Sequence, residues 1–200
     1  SGYVASVASS FGSQALVDRT TGTAIGDMDE HGGLAAAFDD TTDQAQTSSA
    51  AAASSSVNSA NPSYIGKDWG SGNVKYITGF KYWSSNNDGT HESGNNDNTD
   101  NAFILLGHTE NVPASATLLG TFDGVNFRTF NTEHSKLDFT RGTAYRYHWV
   151  KVLPGYITLR RSFCAELRFY EDPETTSVSA TGTLIQAANT VTGTRTEVGG

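Results

Sequence analysis

The chain has 200 residues, of which 17% are charged and 36% hydrophobic, and it carries a net charge of −8. This acidic balance argues against nucleic acid or anionic lipid as the main partner, since both recruit clustered Lys and Arg. No apolar run approaches the roughly 18 residues of a membrane helix, so we expect no membrane insertion.

The first 60 residues contain few regular patterns. Residues 1–32 have scattered apolar positions, which we interpret as a lead-in with one or two strands. Residues 45–60 are rich in Ala and Ser, and because serines compete for backbone hydrogen bonds we predict a long loop there.

The sequence shows no signal-peptide pattern, no permitted Asn-x-Ser/Thr sequon and a single cysteine, Cys164, expected to be buried in a strand. These features favour a bacterial or viral particle protein.

Short strands follow from residue 64. In VKYITGFKYW the period-two positions Val74, Tyr76, Thr78 and Phe80 predict one face of a strand. AFILLGHT is almost continuously apolar, as in a strand that is buried on both faces.

The remaining strands are predicted from turn signals and from further apolar segments. An Asp-Gly turn at residues 123–124, between TLLGTFDG and VNFRTF, predicts a β-hairpin. AYRYHWVKVL, YITLRR and SFCAELRFYE complete the set, with Trp149 expected in the core. These elements, without a convincing helix, predict an all-β fold, an antiparallel β-sandwich.

Three motifs in this order and spacing resemble those of discoidin, or coagulation-factor C-type, modules. They read Ala37-Phe38-Asp39-Asp40, Asp68-Trp69-Gly70 and Glu166-Leu167-Arg168-Phe169-Tyr170. The chain departs from the family at Asp40, where glycine is usual, and at Trp69, where leucine is usual. The resemblance implies a galactose-binding-like jelly roll at residues 33–172, with extended segments at 1–32 and 173–200. The last segment would be a linker or the start of a further β-module.

The resemblance also implies a structural calcium ion, because many bacterial members of the family hold one between the early acidic loop and the closing strand. Calcium prefers six to eight oxygen ligands on an irregular loop. The predicted ligands are Asp39, Asp40, Asp43 and Glu166. The alternative is an Asp/Thr turn that caps its own backbone, with Glu166 exposed at a strand end.

Residues 84–101, SSNNDGTHESGNNDNTDN, contain no apolar residue and predict a solvated loop. Amides and carboxylates hydrogen-bond sugar hydroxyls, and an aromatic ring packs against a sugar. The predicted ligand-binding residues are Trp83, Asn86, Asn87, His91, Asn96 and Asp97, with Arg141 and Tyr145 as further candidates. The alternative is a flexible loop whose asparagines only tolerate left-handed turns.

The sequence contains none of the common catalytic motifs. It has no HExxH pair, GxSxG elbow, Walker loop or GxGxxG, and its carboxylate pairs are no more than any acidic loop would show. We therefore expect a protein without enzymatic activity.

The Thr/Gly-rich end of the chain is similar to parts of phage tail fibres, head spikes and gene-transfer-agent particles. This likeness implies an attachment protein of a virion that binds bacterial surface polysaccharide, as a homo-oligomer alongside other virion subunits. Two alternatives are a purely structural virion component and a carbohydrate-binding module of a secreted bacterial hydrolase.

Overall fold

The computed structural model describes residues 14–44, 51–86, 90, 101–155 and 160–172, all within one compact unit that spans residues 11–174. In these residues the chain forms twelve strands: β1 Ala15–Leu16, β2 Thr23–Gly26, β3 Glu30–His31, β4 Ala52–Val57, β5 Ser63–Asp68, β6 Ile77–Trp83, β7 Ala102–His108, β8 Thr117–Asp123, β9 Glu133–Lys136, β10 Tyr147–Leu153, β11 Arg160–Cys164 and β12 Glu166–Glu171. Two short 3-10 helices, Leu34–Phe38 and Pro113–Ser115, lie between them.

The strands form two principal antiparallel sheets. One has the order β2-β5-β10-β7-β8 and the other the order β1-β12-β6-β9, while β11, β4 and β3 form a smaller third sheet. Every strand pair is antiparallel. The predicted all-β antiparallel sandwich is confirmed.

The core lies between the two principal sheets. Alternate side chains of β6 and β12 point inward, and the rings of Tyr82 and Phe80 lie 4.4 and 6.0 Å from the ring of Phe103 on β7. The apolar run around Phe103 forms β7 between β10 and β8, and buried side chains lie on both of its faces, Phe103 and Leu105 on one and Ala102 and Leu106 on the other. Trp149 and Cys164 are fully buried, as predicted.

The sandwich has two ends, which we name after one residue at each. At the Trp83 end, β6 stops at Trp83, β12 starts, β8 stops and β7 starts. At the Tyr145 end, β10 starts, and a backbone bridge pairs Tyr145 with Lys75 just ahead of β6. Loops that follow strands therefore gather into two separate groups.

The structure corrects the interpretation of the N-terminal third. Residues 52–57, predicted as part of a loop, form β4, because Ala52 and Ala53 are small enough to be fully buried between β11 and β3. The predicted lead-in supplies β1, β2 and β3, and β1 and β2 pair with β12 and β5 of the principal sheets. The sandwich therefore includes strands ahead of the predicted start at residue 33.

Two strand predictions were wrong in detail. No hairpin forms around residues 123–124, because Val125 and Phe127 turn inward and are buried, and β8 pairs with β7 instead. Val74 is exposed and precedes β6, which begins at Ile77.

Candidate ligand-binding end of the sandwich

The structure divides the predicted ligand-binding residues between the two ends. Trp83 and Asn86 lie at the Trp83 end, whereas Arg141 and Tyr145 lie at the Tyr145 end. The seven residues of β6 separate these ends by roughly 20 Å at the usual rise of a strand. The two groups cannot contact one small sugar together. Asn87, His91, Asn96 and Asp97 lie outside the described residues.

Arg141 and Tyr145 make contacts within the protein. The Arg141 guanidinium carbon lies 3.9 Å from the centroid of the Tyr76 ring, and its Nη1 lies 3.9 Å from Asp172 Oδ2. Tyr145 is half-buried, exchanges backbone hydrogen bonds with Lys75, and has its ring 6.1 Å from that of His148. Both side chains thus help to hold the Tyr145 end together.

Trp83 is not an exposed platform. It is only 9% exposed, and the Arg168 guanidinium carbon lies 4.7 Å from the centroid of its ring. Because β6 and β12 pair Trp83 with Glu166 and Lys81 with Arg168, all four side chains share the outer face of this sheet. The predicted packing of a sugar on Trp83 is therefore corrected: the cation already occupies the ring face.

Arg168 also stands at the centre of the predicted metal site. Glu166 is fully buried, and its Oε1 accepts from Arg168 Nε at 3.1 Å while its Oε2 accepts from the Asp40 backbone N–H at 3.0 Å. Arg168 Nη2 donates to Asp40 Oδ1 at 2.8 Å, and Arg19 Nη1 lies 2.7 Å from Asp40 Oδ2. Burial raises the pKa of Glu166, although the bonds from Arg168 and Asp40 oppose that rise.

The other two predicted metal ligands are directed elsewhere. Asp39 accepts from the Thr41 backbone N–H at 2.9 Å and from Gln44 Nε2 at 2.8 Å, and Asp43 accepts from Asn86 Nδ2 at 2.8 Å. Within the described residues, no three His, Cys, Asp or Glu side chains are grouped so that they could hold a metal ion. As they are paired in the structure, the four side chains do not fit calcium: Glu166 and Asp40 bind guanidinium groups, while Asp39 and Asp43 accept from Gln44 and Asn86. The alternative prediction is correct for Asp39, which caps the backbone of its own turn, but wrong for Glu166, which is buried rather than exposed.

The described surface of the Trp83 end includes three segments that are joined by backbone hydrogen bonds. The Asn131 backbone N–H donates to Ser85 O at 2.9 Å, and the Asn86 backbone N–H donates to Gln44 O at 2.9 Å. Asn86 and Asn131 are exposed. Phe130, in the loop between β8 and β9, has 53% of its surface exposed. Sequence reasoning missed Phe130 because it was assigned to a strand. Nothing in the sequence distinguishes the exposed Phe130 from the buried Phe127 three residues earlier.

Two histidines are buried in the core rather than displayed. His148 Nδ1 accepts from Trp69 Nε1 at 2.8 Å, and burial lowers the pKa of His148 to about 3. Burial likewise lowers the pKa of His134 to about 4, and its ring lies 5.5 Å from that of Phe103. Both imidazoles are therefore neutral at physiological pH.

No protein-family model matches the chain, and no curated protein matches it. Solved structures share its fold at low sequence identity. The family 32 carbohydrate-binding module of C. perfringens NanJ, in complex with galactose, is 13% identical over 79% of this chain and 99% of that one, with a TM-score of 0.51. The F5/8 type C domain of a Bacteroides fragilis protein is 16% identical over 80% and 98%, with a TM-score of 0.52.

A third structure, truncated AlyQ with family 32 carbohydrate-binding and alginate lyase domains, is 17% identical, with a TM-score of 0.51. The match covers 80% of this chain and 34% of AlyQ, so the present chain spans about a third of that protein's length. At these identities the likeness shows the fold alone: the chain has the discoidin-like, galactose-binding-like β-sandwich that its motifs resemble. No helix in the described ranges is both long and apolar enough to span a bilayer.

Proposed function

We propose that this chain is a non-catalytic carbohydrate-binding module that attaches its bearer to a bacterial surface polysaccharide through the Trp83 end. The observation that carries the proposal is a fold shared with the NanJ module, whose structure is a galactose complex. A rigid sandwich that displays polar loops at one end is a common way to present a binding surface. The exposed amides of Asn86 and Asn131 supply sugar-binding chemistry at that end.

We assign the module to a phage-like particle, where other virion subunits and further copies of the chain would be its neighbours. Support comes from the Thr/Gly-rich residues 173–200 and from the absence of sequons and disulfides in the sequence. Repetition on a particle lets weak single-site contacts add up to firm attachment. The same placement without glycan binding would make the chain a purely structural virion component.

A second candidate is a carbohydrate-binding module appended to a secreted bacterial hydrolase. The AlyQ structure favours it, since there a module of this fold accompanies an alginate lyase domain. The oligomeric state of the purified protein distinguishes a virion component from a module of a secreted hydrolase. A trimer or a co-purifying particle supports the virion assignment, whereas a monomer cut from a hydrolase supports the alternative.

The function itself is tested with an oligomerised form of the chain on a glycan array and on intact bacteria with and without capsule. Binding that depends on the capsule supports attachment. Absence of binding on both supports the structural role, and degradation of the glycan by the isolated chain would overturn the non-catalytic assignment.

A further inference from the structure

Strand β8 forms one edge of the five-stranded sheet and has a strand on one side only. It pairs with β7, and no strand lies on its other side. Apart from this pairing, no backbone N–H or C=O of residues 117–123 forms a hydrogen bond with another described residue. An open strand edge of this kind can add a further strand through main-chain hydrogen bonds.

The edge of β8 lacks the charges that usually protect such edges. Proteins commonly block an edge with charged side chains, with proline or with a very short strand. β8 is seven residues long, and its only charged residue is Asp123 at the end. A bulge opposite Leu105 and Leu106 twists it but leaves residues 120–123 in a regular ladder.

The other three edges of the principal sheets are protected. Strands β1 and β2 have only two and four residues. β9 carries Glu133 and Lys136, and each forms an ion pair with a charged neighbour. Among the described strands of these two sheets, β8 is therefore the edge that is open to another chain.

The surface along this edge is uncharged although the chain is strongly acidic. Residues 111–122 contain no charged side chain, whereas the whole chain carries a net charge of −8. Val112 and Leu118, within this segment, are 37% and 60% exposed. Two acidic chains repel each other over most of their surfaces. A second copy can therefore approach most easily where the surface is uncharged, as it is along β8.

The core holds the inner side of β8 in place. Leu119 and Phe122 pack against the hydrophobic core, and the Phe139 ring covers Gly120 so closely that no larger side chain would fit there. Leu118 lies on the opposite, outer face of the sheet. A strand that is already ordered loses little conformational freedom on binding, which favours association.

We propose that β8 pairs with β8 of a second copy of this chain, so that two five-stranded sheets join into one continuous sheet. Two identical strands related by a twofold axis through the sheet pair antiparallel, and the same uncharged edge then lies on both sides of the contact. A contact of one strand is small beside the interfaces of permanent dimers, so we expect a dimer that dissociates on dilution. This pairing does not require glycan binding, so the two can fail separately.

The test measures the mass of the full chain by sedimentation equilibrium over a wide range of concentrations. Wild type is compared with Leu118→Lys and Thr121→Lys, which each place a cation on β8. Val74→Lys is the matched control, since Val74 is 57% exposed, much like Leu118, but lies outside β8. All three substitutions make the chain less acidic by one charge, so a general effect of charge would be equal in all three. Thermal melts show that the compared variants are folded.

We expect wild type and Val74→Lys to form the same dimer. Folded Leu118→Lys and Thr121→Lys should have dissociation constants at least about tenfold higher, equivalent to 1.4 kcal/mol. The outward-facing amides of residues 117–123 should also exchange their hydrogens more slowly in the dimer than in the monomer.

A wild type that stays monomeric at every concentration overturns the pairing. So does a dimer that both β8 variants form as readily as wild type, or one in which the β8 amides exchange as fast as in the monomer. A monomer that still binds glycan overturns this interface alone, whereas a dimer that binds no glycan overturns the proposed function alone.

Discussion

The guanidinium carbon of Arg168 lies over the ring of Trp83, 4.7 Å from its centroid, while Arg168 Nε donates to Glu166 and Nη2 donates to Asp40. This contact joins the two predicted sites into one structural cluster. It covers the aromatic face that a sugar would need, and it supplies the positive charge that a calcium ion would supply. The early acidic loop is thereby fastened to the closing strand by a side chain of that strand.

Replacing Arg168 with Met should destabilise the protein by about 3 kcal/mol, because a fully buried Glu166 carboxylate would lose its charged partner. Chemical unfolding monitored by fluorescence measures the change. A second substitution, Glu166→Gln, should recover part of the loss by removing the buried charge. Lys136→Met is the control, since its ion pair with Asp138 lies at the surface and should contribute much less to stability. Equal effects of Arg168→Met and Lys136→Met would contradict the cluster.

Calcium should leave the melting temperature unchanged. A calcium ion that bound only the native state would stabilise it by about 2.7 kcal/mol at a hundredfold excess over the dissociation constant. We therefore expect identical melts with excess calcium and with EDTA. Asp39→Ala should lower stability equally in both conditions, because Asp39 accepts a hydrogen bond from the Thr41 N–H and does not bind a metal ion. A calcium-dependent rise that Asp39→Ala abolishes would restore the calcium prediction.

The β-strands were predictable where burial follows a simple pattern. The segment around Phe103 could be recognised as a central strand, because its buried positions fall on both faces and make it almost continuously apolar. Residues 52–57 could not be recognised, since Ala and Ser in a tightly packed strand give no hydrophobic periodicity. The loop 124–132 was misread because Phe127 points inward as an anchor, and an apolar anchor in a loop looks like part of a strand.

The site was less predictable than the fold, because exposure depends on contacts distant in sequence. Nothing near Trp83 in the sequence indicates that Arg168 covers it. The spacing of Glu166 and Arg168 did contain a usable signal: residues two apart on a strand share a face, so a basic side chain beside the predicted calcium ligand argues against a cation there. The position of Phe130 depends on the hydrogen bond from the Ser84 hydroxyl to Thr129 O, which joins residues 45 positions apart.

The two buried histidines predict that the protein loses stability in acid. The pKa of His134 is lowered from 6.5 to about 4 and that of His148 to about 3. Between pH 6.5 and these values the unfolded chain binds more protons than the native state, so stability falls as pH decreases through that window. For His134 this lowering of the pKa corresponds to at most ~3 kcal/mol of stability.

Urea unfolding at pH 7 and pH 4.5 measures this dependence, and His134→Gln should reduce it. Glu166 acts in the opposite sense, because its pKa is raised in the native state. A carboxyl of this kind stabilises the native state at low pH, and this contribution is lost as the pH rises above the ordinary pKa of a glutamate. If the pH dependence were unchanged in both His134→Gln and His148→Gln, the buried histidines would not be the cause of the loss of stability in acid.

Ser84→Ala should both destabilise the protein and weaken glycan binding. The variant leaves Thr129 O and the Thr132 N–H without their shared partner, at a cost of about 1–3 kcal/mol. Because the same bonds hold the backbone around Asn131, its exposed amide should become mobile and affinity should fall in a variant that is still folded. Normal binding with lowered stability would show that the loop does not need this hydroxyl for recognition.

The most direct test of the central claim, that recognition occurs at the Trp83 end, is a backbone amide NMR titration with the sugar selected on the array. We predict chemical-shift changes confined to Asn86, residues 128–132 and their neighbours, with none at Arg141 or Tyr145. Changes centred on Arg141 and Tyr145, with an unperturbed loop at 124–132, would contradict the account.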